Sequence, residues 1–303
     1  MPHDFAAWIP NDDLLTTNEL LTIIEVAVSQ GIDEVRLTGG EPLLRPDIVE
    51  IVGRIAGIPN APRLTLTTNG LRLEELAQPL ANAGLNRINV SLDTLDRERF
   101  KKLTYRDRFD DVIAGLHAAK AAGLFPIKVN SVLLQGVNDD EAPALLEWAL
   151  ENEYSLRFIE QMPLDAGGIW DRATMVSADQ IFAELSTRYA LTPVDGRGSS
   201  PAEEFFINGT QATVGIIGSV TRPFCGACDR LRLTSDGQLR SCLFSNEEVD
   251  VRKVLRDDSR DDASKRNEIT ARFQKTVISK LPGHGINDPS FIAPVRPMSA
   301  IGG

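Results

Sequence analysis

Between residue 32 and about residue 160, short runs of β character alternate with longer amphipathic stretches, and no other feature of the chain constrains its fold as tightly. The runs are Glu34-Val35-Arg36-Leu37-Thr38, Arg63-Leu64-Thr65-Leu66-Thr67, Arg87-Ile88-Asn89-Val90-Ser91, Ile127 to Val132, and Leu156-Arg157-Phe158-Ile159-Glu160. Between them, Leu20 to Val28, Ile48 to Ile55, Leu73 to Ala83 and Val112 to Ala122 carry apolar residues at helical spacing. Gly31, Gly84 and Gly123 stand where three of these helices should end, shortly before the next strand. Strand centres recur every 25–40 residues or so, roughly the period of a βα unit. The pattern predicts a parallel βα array, as a barrel or partial barrel, with its chemistry at the C-terminal strand ends. The array is expected to be incomplete at its start. Residues 1–16 hold no strand, yet a helix from Thr17 to Gln30 already leads into one.

The pattern changes after about residue 190. A Gly/Ser/Pro-rich break, Asp195 to Pro201, precedes two β runs joined by Asn208-Gly209, a strong hairpin signal. A charge-dense helix over about 247–280 and a Pro/Gly-rich tail follow. The expected organisation is therefore a barrel-like unit over 1–195 and a second, α+β region over 196–303. Two domains also fit a length of 303 residues. With 43 acidic against 32 basic residues, the net charge of −11 argues against non-specific nucleic-acid binding, which needs a basic surface. No apolar run is long enough to span a membrane, and no signal peptide is evident, so a cytoplasmic protein is expected.

All three cysteines fall between 225 and 242: Cys225-Gly226-Ala227-Cys228, then Cys242. Clustered thiols in a chain otherwise without them read as a metal or cluster site. An iron–sulfur cluster with one open iron suits a three-cysteine set; a structural zinc would need a fourth ligand, the nearest candidate being His284, and unligated thiols are the third alternative. Arg222, Arg230, Arg232 and Arg240 surround the thiols, as a phosphate clamp would require. Lys128, between Ile127 and Val129 in a strand, is costly to bury unless it meets an anion. At the strand ends, Glu41 of Thr38-Gly39-Gly40-Glu41-Pro42 could accept from an ammonium group, Asn69-Gly70 reads as a turn, Asp93 as a helix cap and Met162 as core filler. Neither His3 nor His117 suggests catalysis.

Together these residues resemble the GTP 3',8-cyclases, radical S-adenosylmethionine (SAM) enzymes of molybdenum-cofactor biosynthesis. The likeness runs from about Leu14 to Gly303. It is carried by Arg36 to Leu43, Leu66 to Gly70, Asn89 to Asp93, Arg157 to Met162, Phe224 to Gly237 and the Gly302-Gly303 tail. The resemblance implies a partial (β/α) barrel of radical SAM type with a C-terminal α+β region carrying an iron–sulfur site. It implies conversion of GTP to (8S)-3',8-cyclo-7,8-dihydroguanosine 5'-triphosphate, the first step of molybdenum-cofactor biosynthesis. Carried over by motif, Cys225, Cys228 and Cys242 would hold a 4Fe-4S cluster whose open iron takes the purine. Gly40, Ser91 and Met162 would line the SAM site, while Arg36, Thr67, Lys128, Arg230, Leu231 and Arg232 would contact GTP. The glycine tail would reach into the active site. The expected partners are GTP, a second copy of the chain, and the cyclic pyranopterin monophosphate synthase that takes the product onward; neither nucleic acid nor membrane is expected.

One departure shapes the expectation. Such enzymes hold their radical-generating cluster in a Cys-x-x-x-Cys-x-x-Cys loop after the first barrel strand, and this sequence opens just past where that loop would end. The expectation is a barrel truncated at its first strand, with no ligands here for the SAM cluster and with Met1 an internal methionine of a longer protein. The alternative is a non-catalytic, cluster-carrying GTP-binding relative.

Overall fold

A sheet of eight strands is built from the expected β runs and three later ones: β1 (Glu34–Leu37), β2 (Arg63–Thr68), β3 (Arg87–Ser91), β4 (Ile127–Val132), β5 (Ser155–Ile159), β6 (Leu191–Pro193), β7 (Glu203–Ile207) and β8 (Thr213–Ile217). The structure is a computed structural model and describes residues 9–164, 170–289 and 291–301. Neighbours in the sheet run β1-β2-β3-β4-β5-β8-β7-β6. Strands β1 to β5 and β8 pair in parallel, and the β7–β8 hairpin with β6 adds an antiparallel edge.

Helix α1 (Thr17–Ser29) precedes β1, and the helices between the strands are α2 (Ile48–Ala56), α3 (Leu73–Ala83), α4 (Arg97–Thr104), α5 (Phe109–Ala121), α6 (Ala142–Glu151) and α7 (Ala178–Ser186). Helix α1 starts on a capping box between Thr16 and Glu19, and α7 on one between Ser177 and Gln180, so the first free N–H groups are satisfied locally. The three expected glycine stops are all left-handed. Gly84 is needed twice over: its φ is 107°, and an added Cβ would lie 2.7 Å from Ala56 Cβ. Asn208 and Gly209, at φ 52° and 70°, make the expected tight turn of the β7–β8 hairpin.

Strand register divides the sheet into two unlike faces. Paired residues share a face, and alternate residues face opposite ways. On one face stand Leu64, Leu66, Ile88, Val90, Ile127, Val129, Leu156, Phe158, Val214 and Ile216, all fully buried. They pack with Ile51, Val52 and Ile55 of α2, Leu73 and Leu80 of α3, Leu116 of α5, Leu145 of α6 and Ile181 of α7 in the main core. The other face carries Arg36 opposite Thr65, Thr65 opposite Arg87, Thr67 opposite Asn89, Asn89 opposite Lys128, and Asn130 opposite Arg157. On this face β4 is not fully buried: Lys128, Asn130 and Val132 are only half-buried, which lowers the cost expected for Lys128.

The C-terminal region returns to the start of the chain. Strands β9 (Arg232–Leu233), β10 (Gln238–Arg240) and β11 (Val249–Asp250) form a second small sheet, followed by α8 (Arg252–Leu255), α9 (Asp262–Ile278) and α10 (Met298–Ile301). Leu239, Val251, Val254, Ile269 and Phe273 from this region pack against Leu15, Ile23, Val26 and Ala27 around α1. The single helix expected over 247–280 is instead β11, α8 and α9. Val249 pairs with Leu239, Asp257 folds the intervening turn onto Ser259 and Arg260, and Asp261 caps α9 through Ser264 N. The break expected at 195/196 lies in the loop between β6 and β7, which are hydrogen-bonded to each other, so the large sheet continues across it.

Candidate functional site

The polar face of the sheet concentrates positive charge. Arg36, Arg87, Lys128 and Arg157 stand on four strands of one face, with Glu34 and Glu204 as their ion-pair partners among the described residues. Glu34 takes Arg36 at 3.0 Å and Arg87 at 2.9 Å, and Arg157 reaches Glu204 at 3.2 Å. Arg36 Nε also donates to Thr65 Oγ1 at 3.2 Å. Lys128 makes no ion pair with a described residue, and its pKa is brought down to about 8, first by burial and then by the charges of Arg157 and Arg87. Burial likewise lowers Arg157, with Glu204 opposing. The surrounding wall dehydrates Arg36 and lowers it although its side chain remains 35% exposed; Glu34 opposes, and Arg87 and Arg157 add to the depression. Two buried polar atoms on this face, Arg87 Nε and Asn89 Oδ1, have no hydrogen-bond partner among the described residues. Clustered, incompletely neutralised cations with spare donors are what a polyanion requires. Sequence reasoning singled out Arg36, Thr67 and Lys128 here but missed Arg87 and Arg157. The available signal was the two-residue spacing of Arg87-Asn89-Ser91 and Lys128-Asn130, read across neighbouring strands.

The strand-end residues divide between solvent-accessible positions and positions committed to protein partners. Gly40 and Ser91 are exposed at the ends of β1 and β3, and Met162 is half-buried after β5. Glu41 does not have the role expected for it. Its Oε1 accepts from Leu43 N at 3.0 Å and Thr68 Oγ1 at 2.7 Å, and its Oε2 from Asn69 N at 2.7 Å, so it ties the end of β2 to the β1 loop. Asp93 is not a helix cap: it accepts from Val132 N at 2.8 Å, across to β4, while Asp96 caps α4. Burial pushes the Asp93 carboxyl up to about 6, against the pull of that N–H. Glu160, after β5, is buried and was not recognised as a hub. It accepts from Ala178 N at 2.6 Å, Val220 N at 2.7 Å and Thr221 N at 2.9 Å, joining β5, the start of α7 and the loop beyond β8.

A 3₁₀ turn over Cys225–Ala227 brings Cys225 and Cys228 together, with Cys228 N donating to Cys225 O at 3.2 Å. All three cysteines are free and half-buried. Burial raises the Cys225 thiol, helped by Cys242 and Cys228 and opposed by a backbone hydrogen bond from His284. Burial also acts to raise Cys228, but the Arg230 backbone N–H and guanidinium outweigh it and leave Cys228 lowered. Arg230 Nη2 lies 3.5 Å from Cys228 Sγ. Arg232 is brought down to about 10, by burial first and then by Arg230 and Arg36, with Cys242 and Cys228 opposing. Arg232 therefore senses both the thiols and the sheet cation Arg36. Leu231 turns its side chain toward the second core, so any ligand contact there falls to its backbone.

The other two arginines of the expected clamp are committed to protein partners. Arg222 pairs with Glu203 at 2.8 Å and with Asp179. Arg240, 2% exposed, pairs with Glu248 at 2.5 Å and donates to the carbonyls of Leu243 and Ser245. His284 is a poor zinc ligand. Its Nδ1 accepts from Ile286 N at 3.2 Å, which leaves Nε2 to donate to Ser219 O at 3.0 Å. Three free thiols with the Arg230 guanidinium against one of them are a donor set whose chemistry suits a soft metal centre such as an iron–sulfur cluster. Among the described residues, however, no group of three His, Cys, Asp or Glu side chains is gathered in metal-ligand geometry, so the sulfurs must close in to share a cluster. The Gly302-Gly303 tail lies outside the described residues. No helix among the described residues is long and apolar enough to cross a membrane.

Two family models match in succession: the Radical SAM superfamily over residues 4–149 and Molybdenum Cofactor Synthesis C over residues 154–286. A GTP 3',8-cyclase of Streptomyces coelicolor is 54% identical, the match covering 100% of this chain and 88% of that one. The GTP 3',8-cyclase of Mycolicibacterium smegmatis is 51% identical over 100% of this chain and 84% of its own length. Among solved structures, Streptococcus suis SuiB bound to precursor peptide SuiA is similar with a TM-score of 0.49 at 18% identity, over 61% of this chain and 41% of that one. A chain alike over its whole length to such enzymes belongs to the GTP 3',8-cyclase family, radical SAM enzymes of the first step in molybdenum-cofactor biosynthesis.

Proposed function

We propose that this chain binds GTP between the polar face of its sheet and the cysteine segment, for cyclisation to (8S)-3',8-cyclo-7,8-dihydroguanosine 5'-triphosphate. The observation that carries the reading is the polar face of the sheet, where Arg36, Arg87, Lys128 and Arg157 stand together with only Glu34 and Glu204 as ion-pair partners among the described residues. A nucleotide has two unlike ends, and the cationic sheet face and the cysteine segment are two unlike surfaces to meet them. Arg36, Lys128 and Arg157, with Arg87 behind them, face the triphosphate and offset its charge, while Thr67 offers a hydroxyl to it. Arg230 and Arg232 reach the nucleotide from the cysteine side, joined by the backbone of Leu231. Gly40, Ser91 and Met162 line the SAM position at the strand ends, where Gly40 permits close approach of the backbone. Cys225, Cys228 and Cys242 would hold a 4Fe-4S cluster whose open iron would take the purine, while the hydrogen-abstracting chemistry of the family would come from SAM on a second cluster, for which the three cysteines of this sequence leave no ligands.

The test is nucleotide binding to protein reconstituted with iron and sulfide in the absence of oxygen. Replacing Arg230 with alanine is expected to raise the GTP Kd about tenfold or more, the loss of a charge-assisted contact, and to leave SAM binding near the unmodified value. Equal losses for GTP and SAM would contradict the assignment.

A further inference from the structure

Arg230 differs from its neighbours in how it is held. Arg222 and Arg240 are fixed by carboxylates, which also cancel their charge. Arg230 makes no ion pair with a described residue. Its guanidinium lies over the Phe224 ring at 4.7 Å from the centroid, with the Cys228 sulfur at 3.5 Å. Arg197 also lies over this ring, at 5.3 Å. Arg197 is itself immobilised by Glu203 at 2.8 Å, Ser200 O at 3.1 Å and Pro201 O at 2.5 Å. The ring is thus set against a fixed guanidinium in the loop before β7 and presents a π surface to a second, uncommitted one.

The physical distinction is between holding a cation and neutralising it. An arginine meant for phosphate must keep its charge, yet an unrestrained one loses several rotamers on binding, and that lost freedom weakens the contact. A carboxylate partner would restrain the side chain and compete with the ligand. An aromatic face restrains it by cation–π attraction and leaves all five N–H donors available. When the Cys228 sulfur serves iron, the ring is the side-chain contact that continues to orient Arg230.

We infer that Phe224 is a positioning residue, whose ring holds the Arg230 guanidinium ready for the nucleotide phosphates without neutralising it. The inference rests on the reading of Arg230 as a GTP contact, and the test separates the two. Four forms of the reconstituted full chain are compared: unmodified, Phe224→Leu, Arg230→Ala, and the double variant, with Phe224→Tyr as the conservative control. Phe224→Leu keeps apolar bulk and removes the π face; it is expected to raise the GTP Kd about three- to fivefold, with iron content and SAM Kd unchanged. Phe224→Tyr should remain within about twofold of the unmodified protein, because the ring face is retained. The double variant should bind GTP no more weakly than Arg230→Ala alone, since the ring acts only through that side chain. Additive losses in the double variant, an unchanged Kd in Phe224→Leu, or loss of iron from Phe224→Leu would each overturn the positioning role. An unchanged Kd in Arg230→Ala would instead overturn the reading of Arg230 itself.

Discussion

Lys128 and Arg157 are diagonal neighbours on the polar face of β4 and β5, and Arg157 is the strongest charge acting on the Lys128 ammonium. Burial and this repulsion bring Lys128 down to about 8, within the range where it can lose its proton under mild conditions. The ammonium is the form that attracts phosphate. GTP affinity should therefore be constant below about pH 8 and fall as pH rises beyond it. Because bound phosphate favours the ammonium, binding there should also take up a proton. Lys128→Met should bind GTP more weakly and lose most of that pH dependence. Calorimetric titration between pH 7 and pH 9.5 in two buffers of different ionisation heat reads both effects. An unmodified profile in Lys128→Met would place the titrating group elsewhere.

Asp93 titrates in the opposite sense from a salt-bridged carboxylate. Its folded pKa, about 6, lies above the ordinary value of 3.8, because burial outweighs the single N–H from Val132. The folded state therefore holds more protons than the unfolded chain between those two values, and Asp93 costs stability as pH rises through that window. Asp93→Asn keeps the acceptor for Val132 N without the charge. Relative to the unmodified protein, it should gain about 2 kcal/mol in urea unfolding between pH 4 and pH 7. A difference that does not change with pH would contradict the raised value.

Glu160 is a different kind of buried carboxylate, one whose oxygens are met by three backbone N–H donors from two segments. Glu160→Ala leaves the N–H groups of Ala178, Val220 and Thr221 without their acceptor inside the protein. The expected loss is about 3–5 kcal/mol, read as a lower urea midpoint. Met162 lies two residues on, so SAM affinity should fall with it. A variant with normal stability would show that water or neighbouring groups replace the carboxylate.

Much of this arrangement was legible in the order of residues because local physics determines it. The parallel strands followed from periodicity, the helix ends from Gly31, Gly84 and Gly123, and the hairpin from Asn208-Gly209, each a signal contained within a few residues. The pairing of β8 with β5 was not legible, since a hairpin's sequence does not say which sheet edge it joins. Arg87 and Arg157 escaped notice because each is the single cation of its own strand. Only the register of four strands shows them beside Lys128. Glu41 illustrates the reverse: its motif drew attention to a ligand, whereas its oxygens are taken by Leu43, Thr68 and Asn69. Arg222 and Arg240 looked like clamp residues by proximity in sequence, but their carboxylate partners Glu203 and Glu248 come from elsewhere along the chain.

The central claim is that Cys225, Cys228 and Cys242 together hold an iron–sulfur cluster that completes the nucleotide site. Iron, sulfide and zinc content, measured alongside GTP binding on oxygen-free reconstituted protein, tests it most directly. The expected result is about four iron and four sulfide for this cysteine set, with GTP affinity rising as the cluster is loaded and both lost in Cys228→Ala. Colourless protein containing zinc instead of iron, or GTP affinity indifferent to iron and to Cys228, would contradict it.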